Sequence, residues 1–239
     1  MLTKEEIAFF ITEDDTSKRK SDARVGQRYY EGEHDILNYK LFFYDADGEL
    51  QEDKTRSNIK ISHPFFTELV DQQAQYMLNG ETFVKSDIPE LQEELDKVFN
   101  DDFTSELTET ITSTVTKGFG YMYCYKDSKN NFKFENADAM GVVEVRAKDT
   151  DDNCEYVIYW YIDKNTKAGK KIKRIQVWDK EQIYFYTQAD DGATVDDDTE
   201  EINPRPHIIY RNTNDDESLY YDTLGFIPFF RLDNNKKKI

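Results

Sequence analysis

Residues 101–126, DDFTSELTETITSTVTKGFGYMYCYK, hold the point at which the chain changes its repeat. Threonines at 108, 110, 112, 114 and 116 alternate as they would in a strand, whereas Phe103, Leu107, Ile111 and Val115 recur every four residues as on one side of a helix. The acidic start and Gly118 decide for helix: carboxylates favour the positive end of the helix dipole, and glycine closes the last turn. Beyond Gly118 the period becomes two. Phe119, Tyr121, Tyr123 and Tyr125 share one face, with Gly120, Met122 and Cys124 on the other, which is the signature of a strand.

Upstream of this point the pattern is mainly helical. A short helix is expected over residues 4–12 and a longer one from about Asp15 to Glu31, stopped by Gly32. YKLFFYDADGELQED then reads as a hairpin, with Leu41–Tyr44 as strand and Asp47-Gly48 as its turn. Its Asp-x-Asp-Gly lacks the alternating oxygen ligands and closing Glu of a calcium loop. Pro64 opens the next helix, in SNIKISHPFFTELVDQQAQYMLNG (57–80), and Gly80 closes it. Phe66, Val70, Ala74 and Met77, flanked by Phe65, Leu69 and Leu78, make a broad apolar face expected to lie in the core. A short strand at Thr82–Val84 follows, then a helix from Asp87 and Pro89 to about Phe99.

Downstream the chain reads as a β-meander, with strands near 131–136, 142–147, 155–162, 171–178, 182–187 and 206–211. The fold class is α+β: N-terminal helices followed by a largely antiparallel β-meander, in one domain over 1–239 that is mainly helical to about 118 and mainly β from about 119 to 230. DDGATVDDDTEE (190–201) reads as a solvated loop tip, a divalent-ion site being the minor reading. GFIPFFRLDNNKKKI ends the chain as an edge-like strand around Pro228, with no visible closing element, as if cut.

Composition narrows the function. A chain of 239 residues with 38% hydrophobic and 14% aromatic content packs a core. A net charge of −18 repels phosphate backbones, which argues against DNA wrapping. The longest aromatic-aliphatic run, YVIYWYI at 156–162, is too short to span a bilayer, so a soluble cytosolic chain without membrane contact is expected. Cys124 and Cys154 read as two reduced thiols, with a single disulfide left open.

His34, His63 and His207 are scattered, and there is no HExxH, nucleophile elbow or glycine-rich phosphate loop. KGFGYMY lacks the third glycine of a dinucleotide fingerprint and leads into a strand. No catalytic, cofactor or metal residues are therefore assigned. One local feature suggests contact: Lys20, Arg24 and Arg28 stand four apart, a basic stripe on an acidic chain, and form the candidate subunit interface against an ordinary solvated face.

Four segments, taken together and in order, resemble the portal proteins of tailed bacteriophages of the SPP1 type. They are YYEGEHDILNYK (29–40), KTRSNIKISHPFFTELVDQQAQYMLNG (54–80), TSTVTKGFGYMYCYKD (112–127) and GFIPFFRLDNN (225–235). The resemblance implies a non-enzymatic part of the portal wing, without cofactors. It also implies self-association into a ring at one capsid vertex that double-stranded DNA crosses, with terminase, scaffolding and head-completion proteins as partners. The location implied is the virion, after a stage in the host cytoplasm. Portal subunits of this type continue past the Asn-Asn region into stem, clip and crown, which this chain lacks, so a truncated and mainly monomeric chain is expected. The alternative reading is a non-catalytic carbohydrate- or protein-binding β module with a helical cap.

Overall fold

The structure is a computed structural model and describes residues 1–78, 84–148, 154–164, 169, 171–189, 194–199, 202–211 and 219–235. Helix α1 spans Lys4–Thr16 and α2 spans Lys18–Tyr30. Thr3 and Glu6 form a reciprocal cap at the start of α1, Thr3 N–H donating to Glu6 Oε2 at 2.8 Å and Glu6 N–H to Thr3 Oγ1 at 3.2 Å. Ser17 ends α1 and starts α2, its side chain accepting from Lys20 N–H, so α1 runs four residues past its expected end at 12 and α2 starts three residues after Asp15.

Strands β1 (Phe42–Tyr44) and β2 (Leu50–Glu52) form the expected hairpin, with Asp45 accepting from Asp47 N–H and Glu49 N–H across the turn. Helices α3 (Phe65–Leu78), α4 (Pro89–Val98) and α5 (Asp101–Lys117) follow. The end of α3 at Gly80 and most of the strand expected at 82–84 lie outside the described residues, and Val84 itself is not in a strand.

α5 resolves the ambiguity of the opening segment. Asn100 caps its start and Gly118 adopts φ 84° at its end. Three of the alternating threonines fit inside the helix by bonding their hydroxyls back to carbonyls four residues earlier, Thr108 to Thr104 and Thr114 to Thr110 at 2.7 Å each and Thr110 to Glu106 at 2.8 Å. The strand that follows, β3 (Phe119–Lys126), is the centre of a three-stranded antiparallel sheet, between β4 (Phe132–Ala137) and β13 (Phe229–Asp233).

A second, larger antiparallel sheet is a meander of β5 (Val142–Val145), β6 (Tyr156–Asp163), β7 (Ile172–Trp178) and β8 (Gln182–Ala189). Two short strands, β9 (Val195–Asp197) and β10 (Arg205–Pro206), both pair with β8. β11 (Ile208–Arg211) and β12 (Leu219–Asp222) form a separate hairpin. β9 and β12 were not expected. β9 lies inside the acidic run, so that run is not a solvated tip throughout: Asp198 is buried and meets Arg174 at 2.7 Å, and Asp197 meets Lys4 at 2.8 Å.

The core sits at three junctions. Ile7 and Ile11 of α1, four apart on one face, pack on Val143, Ile158, Ile175 and Val177 of the larger sheet. Ala23 of α2 packs with Phe119, Tyr121, Ala137 and Val142 where the two sheets meet. The aromatic face of β3 and β13 turns toward the larger sheet: the Tyr123 ring lies 5.1 Å from Phe229 and 6.3 Å from Trp178, centroid to centroid.

The opposite face of β3 admits α5 because it is nearly bare at Gly120, where an added Cβ would lie 2.2 Å from Thr114 Oγ1. Gly26 does the same for α2: a Cβ there would stand 2.1 Å from the Thr116 carbonyl oxygen, which is backbone and cannot turn aside. Gly26→Ala should therefore push α2 off α5 and cost about 1–3 kcal/mol, read as a lower midpoint in urea unfolding.

His207 ties the last hairpin to the larger sheet. Its Nε2–H donates to the Asp179 carbonyl at 3.0 Å, while Nδ1 accepts from Leu224 N–H at 3.4 Å, so both neighbours require the neutral ring. Burial pushes the imidazole below its ordinary pKa, against the raising effect of the Asp179 carbonyl. A lowered folded-state pKa means the unfolded chain binds the proton more readily, so this stability is complete above the ordinary value of about 6.5 and is lost as pH falls through the folded value. Unfolding midpoints should decline on acidification below about pH 6.5, and His207→Gln should flatten that part of the profile.

Candidate functional site

The three basic residues of the candidate interface do not stand together at the surface. Lys20 is 0% exposed, which corrects its place in a solvent-facing stripe. Its ammonium donates to the carbonyls of Ala139 at 2.5 Å and of Met140 and Val142 at 3.0 Å each, and pairs with Asp14 at 3.0 Å. Burial pushes its pKa down, with Asp14 opposing. The physical reason is that the segment joining β4 to β5, with the first residue of β5, turns three carbonyls toward Lys20 at the seam between the sheets. A long cationic side chain satisfies them.

Arg24 and Arg28 remain partly exposed, and each has a partner within the chain. Arg24 pairs with Asp15, and Arg28 pairs with Asp35 at 2.8 Å. Arg56 meets Asp53 at 3.0 Å and Asn58 donates to the Tyr39 carbonyl at 3.0 Å.

A cleft of about 470 Å³ opens between the two sheets, lined by Tyr123, Tyr125, Gln176, Trp178, Arg205 and His207, among others. Its polar groups are engaged in holding the fold. The hydroxyls of Tyr123 and Tyr125 both donate to the Glu135 carboxylate, Tyr125 at 2.6 Å. Burial pushes the Tyr125 phenol up to about 12 and Tyr123 further still, so both act as donors at neutral pH. Among the described residues no group of three or more His, Cys, Asp or Glu side chains is placed to hold a metal ion. Cys124 and Cys154 are free thiols, each with its pKa raised by burial. No helix among the described residues is long and apolar enough to cross a membrane.

Most of what the structure offers to a partner was misread in the sequence as core. Helix α3 buries only Val70 and Ala74; Phe65, Leu69 and Met77 lie on its exposed side, with Tyr76 85% exposed. The helix meets α5 and α2 along one narrow stripe, where Asp71 accepts from the Tyr30 hydroxyl at 2.8 Å. The β1–β2 hairpin is exposed on both faces, with Phe42, Phe43, Tyr44 and Leu50 in water. A two-stranded ribbon alone is marginal in water, so a hairpin built this way suits a surface that is covered by something else.

A family model described as phage portal protein, SPP1 Gp6-like, matches residues 10–239. The portal protein of Bacillus phage SPP1 is 27% identical over 204 residues, which are 85% of this chain and 40% of that relative's length. The match runs through the helices, both sheets and the last strand, and on that extent the chain belongs to the SPP1 Gp6-like family of phage portal proteins.

Proposed function

We propose that this chain forms part of the portal vertex, a ring of copies at one corner of the capsid through which double-stranded DNA is packaged and ejected. The observation that carries the reading is the family match, which spans nearly the whole chain. The role is structural and non-catalytic, with terminase, scaffolding and head-completion proteins as neighbours. The chain resides in the host cytoplasm before assembly and in the virion afterwards. A net charge of −18 suits this work, because a wall that gripped phosphates would slow a moving duplex.

Arg24 and Arg28, the exposed remainder of the basic stripe, face a neighbouring copy in this reading. The chain by itself is mainly monomeric at nanomolar concentration. Immunogold labelling of particles released from the host, with antibody against this chain, should mark a single vertex per capsid; particles without the label would overturn the reading. Arg24→Glu with Arg28→Glu should weaken association between copies by about two- to fivefold, the scale of exposed ion pairs, in sedimentation runs at high protein concentration.

A further inference from the structure

Among the described α-helices, α4 alone buries none of its residues. The other four pack on a helix or a sheet along much of their length, and α4 has no contact of that extent. Its anchor lies at the C-terminal end, where the Phe99 ring sits 4.9 Å from Phe103 and 6.0 Å from Phe134, centroid to centroid. A helix of 10 residues with so little packing is marginal in water, because starting a helix costs more than a few hydrogen bonds return.

What holds α4 in shape is local. Pro89 pre-sets the first turn, Ser86 N–H donates to Gln92 Oε1 at 2.8 Å, and Gln92 Nε2–H donates to Asp96 at 2.6 Å. Lys97 pairs with Glu94 at 2.5 Å in the last turn. The helix is therefore formed before anything covers it, which lowers the ordering cost of docking.

Ile88 at the N-cap and Leu91, Leu95 and Val98 within the helix recur at helical spacing and form an apolar stripe, with Ile88 57% and Leu91 47% exposed. Acids stand on both of its borders, Glu90 and Glu94 on one and Asp96 on the other. Across residues 87–106 there are eight acids and one lysine. An apolar seam edged by one sign of charge is half of a helix pair, and the half that fits it carries the opposite sign along both edges. The chain's own basic helix does not fill that place: Arg19 and Lys20 pair with Asp14, Arg24 with Asp15 and Arg28 with Asp35. A second copy would bring a net charge of −18 to an acidic face.

We infer that α4 is the docking site for a cationic amphipathic helix of a different protein. The apolar stripe of that helix lies on Ile88, Leu91 and Leu95, and its lysines or arginines reach Glu90, Glu94 and Asp96. Helix against helix, the recognition is read from apolar anchors at i, i+3 and i+7. A 10-residue helix is only about 15 Å long, so the contact stays well below the roughly 800 Å² per partner of a standard interface. Binding is accordingly micromolar and reversible. It is also sensitive to salt, since the reach of charge shrinks from about 8 Å at physiological ionic strength to about 3 Å at 1 M. The inference does not use the portal reading, and vertex labelling of particles is independent of its outcome.

The test uses the full chain and a fluorescein-labelled synthetic helix of about 18 residues, long enough to be helical, made of leucine, lysine and alanine with leucines at i, i+3, i+4 and i+7. A twin with glutamate in place of lysine is the charge control. Fluorescence anisotropy should show the lysine probe binding at about 10 µM and the twin binding at least tenfold more weakly. Glu90→Lys/Glu94→Lys should weaken the lysine probe about tenfold, whereas Glu5→Lys/Glu13→Lys, the same change of charge on α1, should leave it within about twofold. Leu91→Ala/Leu95→Ala removes the stripe while alanine keeps the helix, and should also cost about tenfold. Circular-dichroism melts that match the wild type show that each variant is folded. Equal losses from the α4 and α1 reversals would mean a general attraction to an acidic chain and overturn the inference. So would indifference to Leu91→Ala/Leu95→Ala. Self-association of the wild type that this variant abolishes would give α4 to a second copy, and overturns it as well.

Discussion

The ammonium of Lys20 is the contact on which the other placements depend. It sits at the seam where α2, the β4–β5 connection and the end of α1 converge, and it is the group that answers three carbonyls turned into that seam. Asp14 supplies the counter-charge from the last turns of α1, so one side chain fixes both N-terminal helices to the junction of the two sheets. A buried charge held this way is expensive to disturb, since removing it strands a carboxylate and several acceptors, at about 3–5 kcal/mol for a broken buried pair. The neighbouring contacts follow from it: Ala23 one turn on seats against the seam, and Gly26 another turn on lets α2 touch the α5 backbone.

Much of the architecture could be read from local pattern. The change of period at Gly118, the alternation of large and small residues in β3 and the meander that follows all appear where the sequence places them. Signals of this kind are short-range, and the chain obeys them because its helices and hairpins are closed by their own caps and turns. β9 was hidden because its burial is confined to Val195 and the acids around it are neutralised by Lys4 and Arg174, partners 193 and 24 residues away.

The functional surface was less legible for the same reason. A lysine at i, i+4 from an arginine looks alike whether it is solvated, as Arg24 is in part, or swallowed, as Lys20 is. Likewise, the apolar face of α3 carries the residues of a core helix, and only the limited contact with α2 and α5 shows that most of that face is left open. A face that packs on another copy obeys the chemistry of a core and so leaves the same mark in the sequence.

The pairing of β13 with β3 has a bearing on how the chain is made. The central strand of the smaller sheet, residues 119–126, has one of its two neighbours only in residues 229–233, separated by the entire larger sheet. During synthesis the meander can close on itself strand by strand, while β3 keeps an open edge of N–H and C=O groups, with Met122 and Cys124 among its residues, until β13 leaves the ribosome. That interval is when the nascent chain is most exposed to pairing with the wrong strand. It is also when a chaperone that covers strand edges would matter most.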